Sequence, residues 1–474
     1  MKTLKRIVTI GILSAFTLGA CSAPSSHSGV EGKFESIKNS DIQLRAFLQD
    51  MPKGGDLHNH LHGAVYAESW LDWAVEDGMC IDPQQRAITF PNGDGCGDFP
   101  TAKNALATDQ GLRNEIIDMF SVRDFIPTTG WSGHDQFFRT FPLINAMPHR
   151  FGDMLADAAN VAGEQNLGYL ELLHTMELFE TILPMVIATP MSGDVAADYD
   201  TLMSGPFGKA LPEIIARAKA NLDAAEIRKN EILACGTENA KPGCDVEIRF
   251  LHQPVRTLPP SVVYAHTIFG WHLMKEDSRF VGTNLVAPED DFVALRDYKL
   301  HMAQIDYLYE NLGERNVSLH AGELWLGLVH PKELRFHIHD AIKVGHAKRI
   351  GHGTDIVFET DYKNLLIYMA ENEIMVEISL TSSDAILGIK GSAHPYEIYK
   401  AAGVPMAFST DDEGVARIDI THEYMRAVKE HGVSYADLKT ATYNSLKYAF
   451  VDAETKKKLI DSLDARFLVF ESKF

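Results

Sequence analysis

Four short groups of polar residues stand out for what their side chains could do together. They are Asp56-Leu57-His58-Asn59-His60, His320-Ala321-Gly322-Glu323, Gly351-His352-Gly353 and Ser409-Thr410-Asp411-Asp412. On an extended strand, side chains two apart point the same way, so His58 and His60 share a face. With His320 and Asp411 they offer three nitrogens and one oxygen, which suits Zn2+ with a position left for water, as a catalytic zinc site requires. Glu323 beside such a water can accept and return a proton. Asp412, next to a metal-bound aspartate, is expected to have a raised pKa. Each fragment alone says little. A His-x-His is more often a structural pair, an Asp-Asp often caps a helix or shapes a turn, and Gly-His-Gly can be a tight corner. Their joint placement is what argues for one site.

That placement depends on strands. Gly55–His60, Gly168–Leu173, Val246–His252, Phe280–Val286, Val317–Ala321, Arg349–His352, Ile374–Ser379 and Pro405–Ser409 read as short β-type runs. Helical patterns lie between most of them, including Leu211–Leu233, Asp291–Asn311, Glu333–Val344 and Asp361–Glu371. Strand–helix alternation predicts an α/β fold with a parallel sheet, and eight units predict a (β/α)8 TIM barrel. The polar groups then fall at the C-terminal ends of strands, where barrel active sites are built. More than a hundred residues separate the first two strands, which predicts a helical insertion at about 64–150. Ile418–His431, Tyr435–Phe450 and Glu454–Leu468 read as extra C-terminal helices, and the barrel unit as residues 41–474. His337 and His339 lie two apart on a helical pattern and do not face each other. They read as ordinary residues, as do His272, His346 and His431. Phe137, Phe138 and Phe141 read as packing.

Composition narrows the partners. The 474 residues carry 44 Lys and Arg against 65 Asp and Glu, a formal charge of −21. Phosphate backbones are held by Lys and Arg, so nucleic acid is a poor partner for this chain. Residues 1–21 read as an export signal: Lys2, Lys5 and Arg6 precede an apolar run from Ile7 to Ala20 that is short for a bilayer span. Leu18-Gly19-Ala20-Cys21 looks like a bacterial lipobox, with Cys21 lipidated; simple secretion with cleavage near Ala20 or Ala23 is the alternative. On that reading the protein is exported, periplasmic or at the cell surface, and meets the membrane through a lipid anchor. Residues 22–40 would be a flexible tether. An oxidising compartment permits disulfides. Cys80 with Cys96 and Cys235 with Cys244 are the preferred pairs because each brackets a segment able to turn back; free thiols are the alternative.

The combined motifs resemble the adenosine deaminase family of the amidohydrolase superfamily across roughly residues 50–430. The signature begins at Met51-Pro52-Lys53-Gly54-Gly55 and runs through the four polar groups, with Arg349-Ile350 leading into Gly351. That start and the export signal look closest to the secreted, growth-factor-like branch. The resemblance implies one Zn2+ per chain on His58, His60, His320 and Asp411, acidifying a water that attacks C6 of a purine. It implies Glu323 as the proton shuttle, His352 orienting the attacking oxygen, and Asp412 hydrogen-bonded to N7. The substrate would be adenosine and 2′-deoxyadenosine, giving inosine and ammonia, with a homodimer left open. Three positions depart from the family. Where an Asp often holds the 5′-hydroxyl stands His62. Ala287 replaces the glycine whose N–H meets N3. Asp-Asp-Pro becomes Asp411-Asp412-Glu413-Gly414.

Three rival readings remain. The same chemistry could act on a 5′- or N6-modified adenosine or a nucleotide. A two-metal hydrolase could open with Asp-x-His-x-His, but Phe280–Glu289 supplies no bridging Lys. From another class, a non-catalytic nucleoside-binding protein could keep the fold, although retention of Glu323 and His352 argues against it. The His-x-Glu with Pro-Cys-x-x-Cys of cytidine-type deaminases is absent.

Overall fold

Short, apolar, doubly buried strands demand layers on both faces, and this chain meets the demand by closing on itself. The computed structural model describes residues 29–93, 95–144 and 147–474. Eight parallel strands run through it: β1 Lys53–His60, β2 Leu167–His174, β3 Glu247–His252, β4 Phe280–Thr283, β5 Ser318–Ala321, β6 Arg349–His352, β7 Met375–Ile378 and β8 Met406–Phe408. They form two four-stranded sheets in chain order, β1 to β4 and β5 to β8. Parallel bridges join them at both seams, Thr283 with Val317 and Asn59 with Asp411. At the second seam Asp411 N–H donates to the His58 carbonyl (2.9 Å) and His60 N–H to the Asp411 carbonyl (2.7 Å). The result is the expected (β/α)8 barrel, with its last strand locked to its first at His58, His60 and Asp411.

The helices outside follow the sequence pattern closely. Pro206–Ile232, Pro260–Glu276, Phe292–Leu312 and Tyr362–Glu371 return the chain between strands, and Ile420–His431, Tyr435–Lys447 and Ala453–Glu471 extend the C-terminus. The insertion after β1 holds helices Ala67–Glu76, Ala102–Thr108, Gln110–Met119 and Gly133–Arg139, with a small hairpin of Cys80–Asp82 and Ala87–Thr89. It is fastened beside the barrel mouth, where His134 Nε2 lies 2.9 Å from Asp290 Oδ1 after β4. Cys80 is bonded to Cys96, tying the hairpin to the following loop, and Cys235 to Cys244, tying the end of a long helix to the approach to β3. Phe137, Phe138 and Phe141 pack on one another.

Four expectations need correction. The strand expected over Phe280–Val286 stops at Thr283, because Asn284 turns its side chain onto the Leu285 N–H (2.7 Å) and breaks the ladder. The helix expected over Glu333–Val344 is a 3-10 turn, Glu333–Arg335, then a separate helix, His337–Lys343, with non-helical Phe336 between them. The tether expected over 22–40 includes the helix Val30–Ile37, whose Phe34 and Ile37 are buried, with the Phe34 ring against Phe47 and Tyr435. His346, read as an ordinary residue of a helical pattern, instead sits at positive φ beyond its helix, bonds Asp306 (2.7 Å) and stacks on Tyr309. The export signal 1–21, Cys21 and residues 22–28 lie outside the described residues. Among the described residues no helix is long and apolar enough to cross a membrane.

Candidate active site

The strand ends bring His58, His60, His320 and Asp411 into one buried cluster. His58 Nε2 is 3.0 Å from His320 Nε2 and 3.4 Å from Asp411 Oδ1. His60 Nε2 is 3.2 Å from both His320 Nε2 and Asp411 Oδ1. Donors held about 2.0–2.1 Å from one zinc ion would stand roughly 2.9–3.6 Å apart, so the spacing fits a single ion. The ring tautomers fit as well. His58 Nδ1 bonds Glu377 Oε2 (2.6 Å), His60 Nδ1 bonds Gln253 Oε1 (2.8 Å) and His320 Nδ1 bonds Asn284 Oδ1 (2.8 Å). Each acceptor takes the Nδ1 proton, so each Nε2 presents a lone pair to the centre, the arrangement that orients imidazole ligands. Three imidazole nitrogens and a carboxylate oxygen turned on one point are a set that a cation can share. Burial opposes charge on His58, yet its bonds to Asp411 and Glu377 outweigh that and lift it to about 10. Those carboxylates therefore call for positive charge here, which a divalent ion supplies.

A second layer of charge lies beneath, inside the barrel. Arg349 on β6 donates to Glu377 Oε1 (2.7 Å) and to Glu171 Oε2 on β2 (2.6 Å), and all three are fully buried. Ser318 adds a hydrogen bond to Glu377 Oε1 (2.8 Å). Burial alone would raise the pKa of Glu377, but Arg349 and the His58 bond hold it down at about 2. Glu377 thus favours its anionic form and is aimed at His58. Gly351 keeps His58 in place by omission, since a Cβ there would stand 2.6 Å from the His58 Cε1. Ser382 fixes Asp411 from the other side with a hydrogen bond to Oδ2 (2.7 Å).

Three further groups border the cluster. His352 Nε2 is 3.6 Å from Glu323 Oε1, and Asp412 follows Asp411 at the β8 end. Among the described residues, both ring nitrogens of His352, Oε1 of Glu323 and Oδ1 of Asp412 have no hydrogen-bond partner. Buried polar atoms are normally satisfied, so their concentration beside the four converging donors marks where a polar ligand belongs. Burial first, then the charge of Asp411, pushes the carboxyls of Glu323 and Asp412 well above their ordinary range, while burial lowers His352 to about 4. Two acids able to carry protons and one neutral imidazole therefore face the same space. Gly63 admits Asp412, because a Cβ there would fall 1.6 Å from its Oδ1.

Of the other expected contacts, Ala287 lies after β4 with φ +87°, the left-handed region that glycine favours. Its carbonyl is clamped by Arg256 Nε (2.7 Å). His62 stacks on His174 (5.4 Å, 19°) and lies 6.4 Å from Trp70, so the position expected at the ribose end is an aromatic stack. His174, at the end of β2, gave no motif signal, nor did Gln253 and Asn284. Glu377 did carry one: a lone charge within the apolar run Met375-Val376-Glu377-Ile378 must be paired if the strand is interior. His337, read as ordinary, is fully buried and bonded to Glu289 (2.6 Å).

Comparison with known proteins agrees with this construction. A family model described as adenosine deaminase matches residues 211–466. Curated adenosine deaminases from Escherichia coli strains are 32% identical over 152 residues, which is 32% of this chain and 42% of theirs; the matched segment spans less than half the length of those relatives. Among solved structures, a zinc-bound amidohydrolase from Burkholderia ambifaria superposes with a TM-score of 0.57 at 17% identity, covering 90% of this chain and 94% of its own. The N6-methyl-AMP deaminase of Arabidopsis thaliana does so with a TM-score of 0.57 at 19% identity, covering 89% and 98%. At such identities these two speak for the fold.

Proposed function

The chain belongs to the adenosine deaminase family, and from that premise we propose that it hydrolyses the 6-amino group of a purine nucleoside, adenosine or 2′-deoxyadenosine, to give inosine or 2′-deoxyinosine and ammonia. The observation that carries this reading is the set of unpartnered groups, Glu323, His352 and Asp412, beside four converging metal donors. His58, His60, His320 and Asp411 would hold one Zn2+, which supplies Lewis-acid chemistry by lowering the pKa of a water in its open position. Asp412, whose carboxyl is pushed above its ordinary range by burial first and then by Asp411, would donate to the ring N7. His352, neutral, orients the attacking water. Glu323 accepts the proton of that water, delivers it to N1, and then assists loss of the amine as ammonia. The C6–O bond forms as N1 takes up one proton of the water, and the C6–N bond breaks afterwards, when the second proton passes to the leaving amine; no redox partner is needed.

A second reading keeps the chemistry and changes the substrate to a 5′-phosphorylated or N6-substituted adenosine, as the name of the Arabidopsis relative suggests. The aromatic character of the end where His62 stacks on His174 and lies 6.4 Å from Trp70 favours the nucleoside, since a phosphate is normally met by Lys or Arg. The test is a steady-state assay of residues 22–474 with zinc quantified, following the ultraviolet change from adenosine to inosine against AMP, N6-methyl-AMP, N6-methyladenosine and adenine. Turnover of adenosine with one zinc per chain is the expected result. Turnover of AMP or N6-methyl-AMP in its place would move the substrate to nucleotides, and absence of any turnover with zinc bound would favour a binding protein.

We place the enzyme outside the cytoplasm, anchored through Cys21. Cys21→Ser is expected to move the protein from the membrane pellet to the soluble fraction; an unchanged distribution would count against the anchor.

A further inference from the structure

Against the backbone of Glu323 lies a buried pair that the reaction above does not use. Glu289, in the loop after β4, accepts the Glu323 N–H on Oε2 (2.8 Å) and the Gly322 N–H on Oε1 (3.2 Å). The same Oε1 accepts from His337 Nδ1 (2.6 Å). Glu289 is 1% exposed and His337 fully buried. The His337 ring lies flat on Tyr298 (3.8 Å, 12°), and the Tyr298 hydroxyl donates to the His337 carbonyl (2.6 Å). Ring, carboxylate and two backbone amides thus form one rigid chain ending at the residue proposed to move the proton.

We infer that His337 is a positioning residue: by holding Glu289 it fixes the Gly322–Glu323 backbone and so the direction of the Glu323 carboxyl. This rests on the deaminase reading for its kinetic consequence, but not for its structural one. Gly322 turns at φ +77°, with Asp355 N–H bonded to its carbonyl (3.0 Å), so the loop has one support on each side and Glu289 supplies the amide side. His337 is the one side-chain donor to Glu289 among the described residues, and a buried carboxylate that loses such a donor takes up a proton or rotates. Either change removes an acceptor from one of the two amides. Small misplacement of a catalytic group costs rate without costing binding.

The test compares His337→Leu, which removes the donor, with His337→Asn, whose Nδ2 occupies the place of Nδ1 and can still donate. Glu289→Gln probes the other half of the pair. For each zinc-loaded variant, kcat and KM for adenosine are measured alongside amide hydrogen exchange of the peptide 319–326. His337→Leu and Glu289→Gln are expected to lower kcat by about 10-fold with KM little changed and zinc content equal, and to speed exchange at Gly322 and Glu323. His337→Asn is expected to restore both. The inference is overturned if His337→Leu turns over and exchanges like the parent, or if Asn fails as Leu does with exchange rising across the whole barrel. Exchange needs no turnover, so a parent protein inactive on adenosine would sink the substrate reading while this measurement still decided the role of His337.

Discussion

Glu323→Gln is expected to lower kcat for adenosine by roughly 10²–10⁴-fold, the usual contribution of a positioned acid–base group, with zinc stoichiometry unchanged. The substitution keeps the volume of the side chain and can still accept a hydrogen bond, but it cannot carry a proton between water, ring nitrogen and leaving amine. Glu323 is not among the four converging donors, so metal should stay. Its backbone N–H is held by Glu289 independently of its side chain, so the loop should stay too. Because an interaction made only in the transition state is lost, kcat and kcat/KM should fall together. Asp411→Asn is the contrasting control, since it removes a ligand and should deplete zinc. A Glu323→Gln protein with full zinc and more than about a tenth of the parental kcat would remove Glu323 from the proton-transfer role, and the search would pass to Asp412.

What could be read in the sequence was whatever depends on chain-local periodicity. His58 and His60 share a side because strand side chains alternate, and His320, His352 and Asp411 follow from ending strands at the mouth of a barrel. Their partners were invisible because they lie far away along the chain: Glu377 is 319 residues from His58, Gln253 is 193 from His60, and Asn284 is 36 from His320. Each contact exists only once the barrel closes. A partial signal was present in Glu171, Arg349 and Glu377, charged residues inside short apolar strands, since interior charges must be paired. Which charge meets which could not be inferred without the strand order. His337 was hidden differently. Helical periodicity placed it on a helix beginning at Glu333, whereas the chain breaks at Phe336 without a Gly or Pro to mark the break and presents His337 as the first residue of a new helix, facing inward. The helix Val30–Ile37 was masked by polar neighbours; its two buried residues, Phe34 and Ile37, find their partners in Phe47 and Tyr435, elsewhere in the chain.

The interior charge network leads to the second large effect. Glu377→Gln is expected to weaken zinc binding by about 10–100-fold, the usual consequence of removing the acceptor that orients a histidine ligand. Glu377 serves two masters through its two oxygens: Oε2 takes the His58 Nδ1 proton, and Oε1 takes Arg349 and Ser318. A carboxamide cannot do both. With its oxygen toward His58, its NH2 meets the Arg349 guanidinium, donor against donor. With the NH2 toward His58, the ring must hold its proton on Nε2 and ceases to be a ligand. Gln253→Ala and Asn284→Ala remove neutral acceptors from His60 and His320, and should cost less, because hydrogen bonds to an anion are the stronger kind. Competition with a chromogenic chelator measures the affinity directly, and activity restored by excess Zn2+ would separate lost metal from damaged chemistry. A Glu377→Gln protein that binds zinc as tightly as the parent would show that His58 is oriented by packing against Gly351 alone and that the Glu171–Arg349–Glu377 network serves the barrel rather than the site.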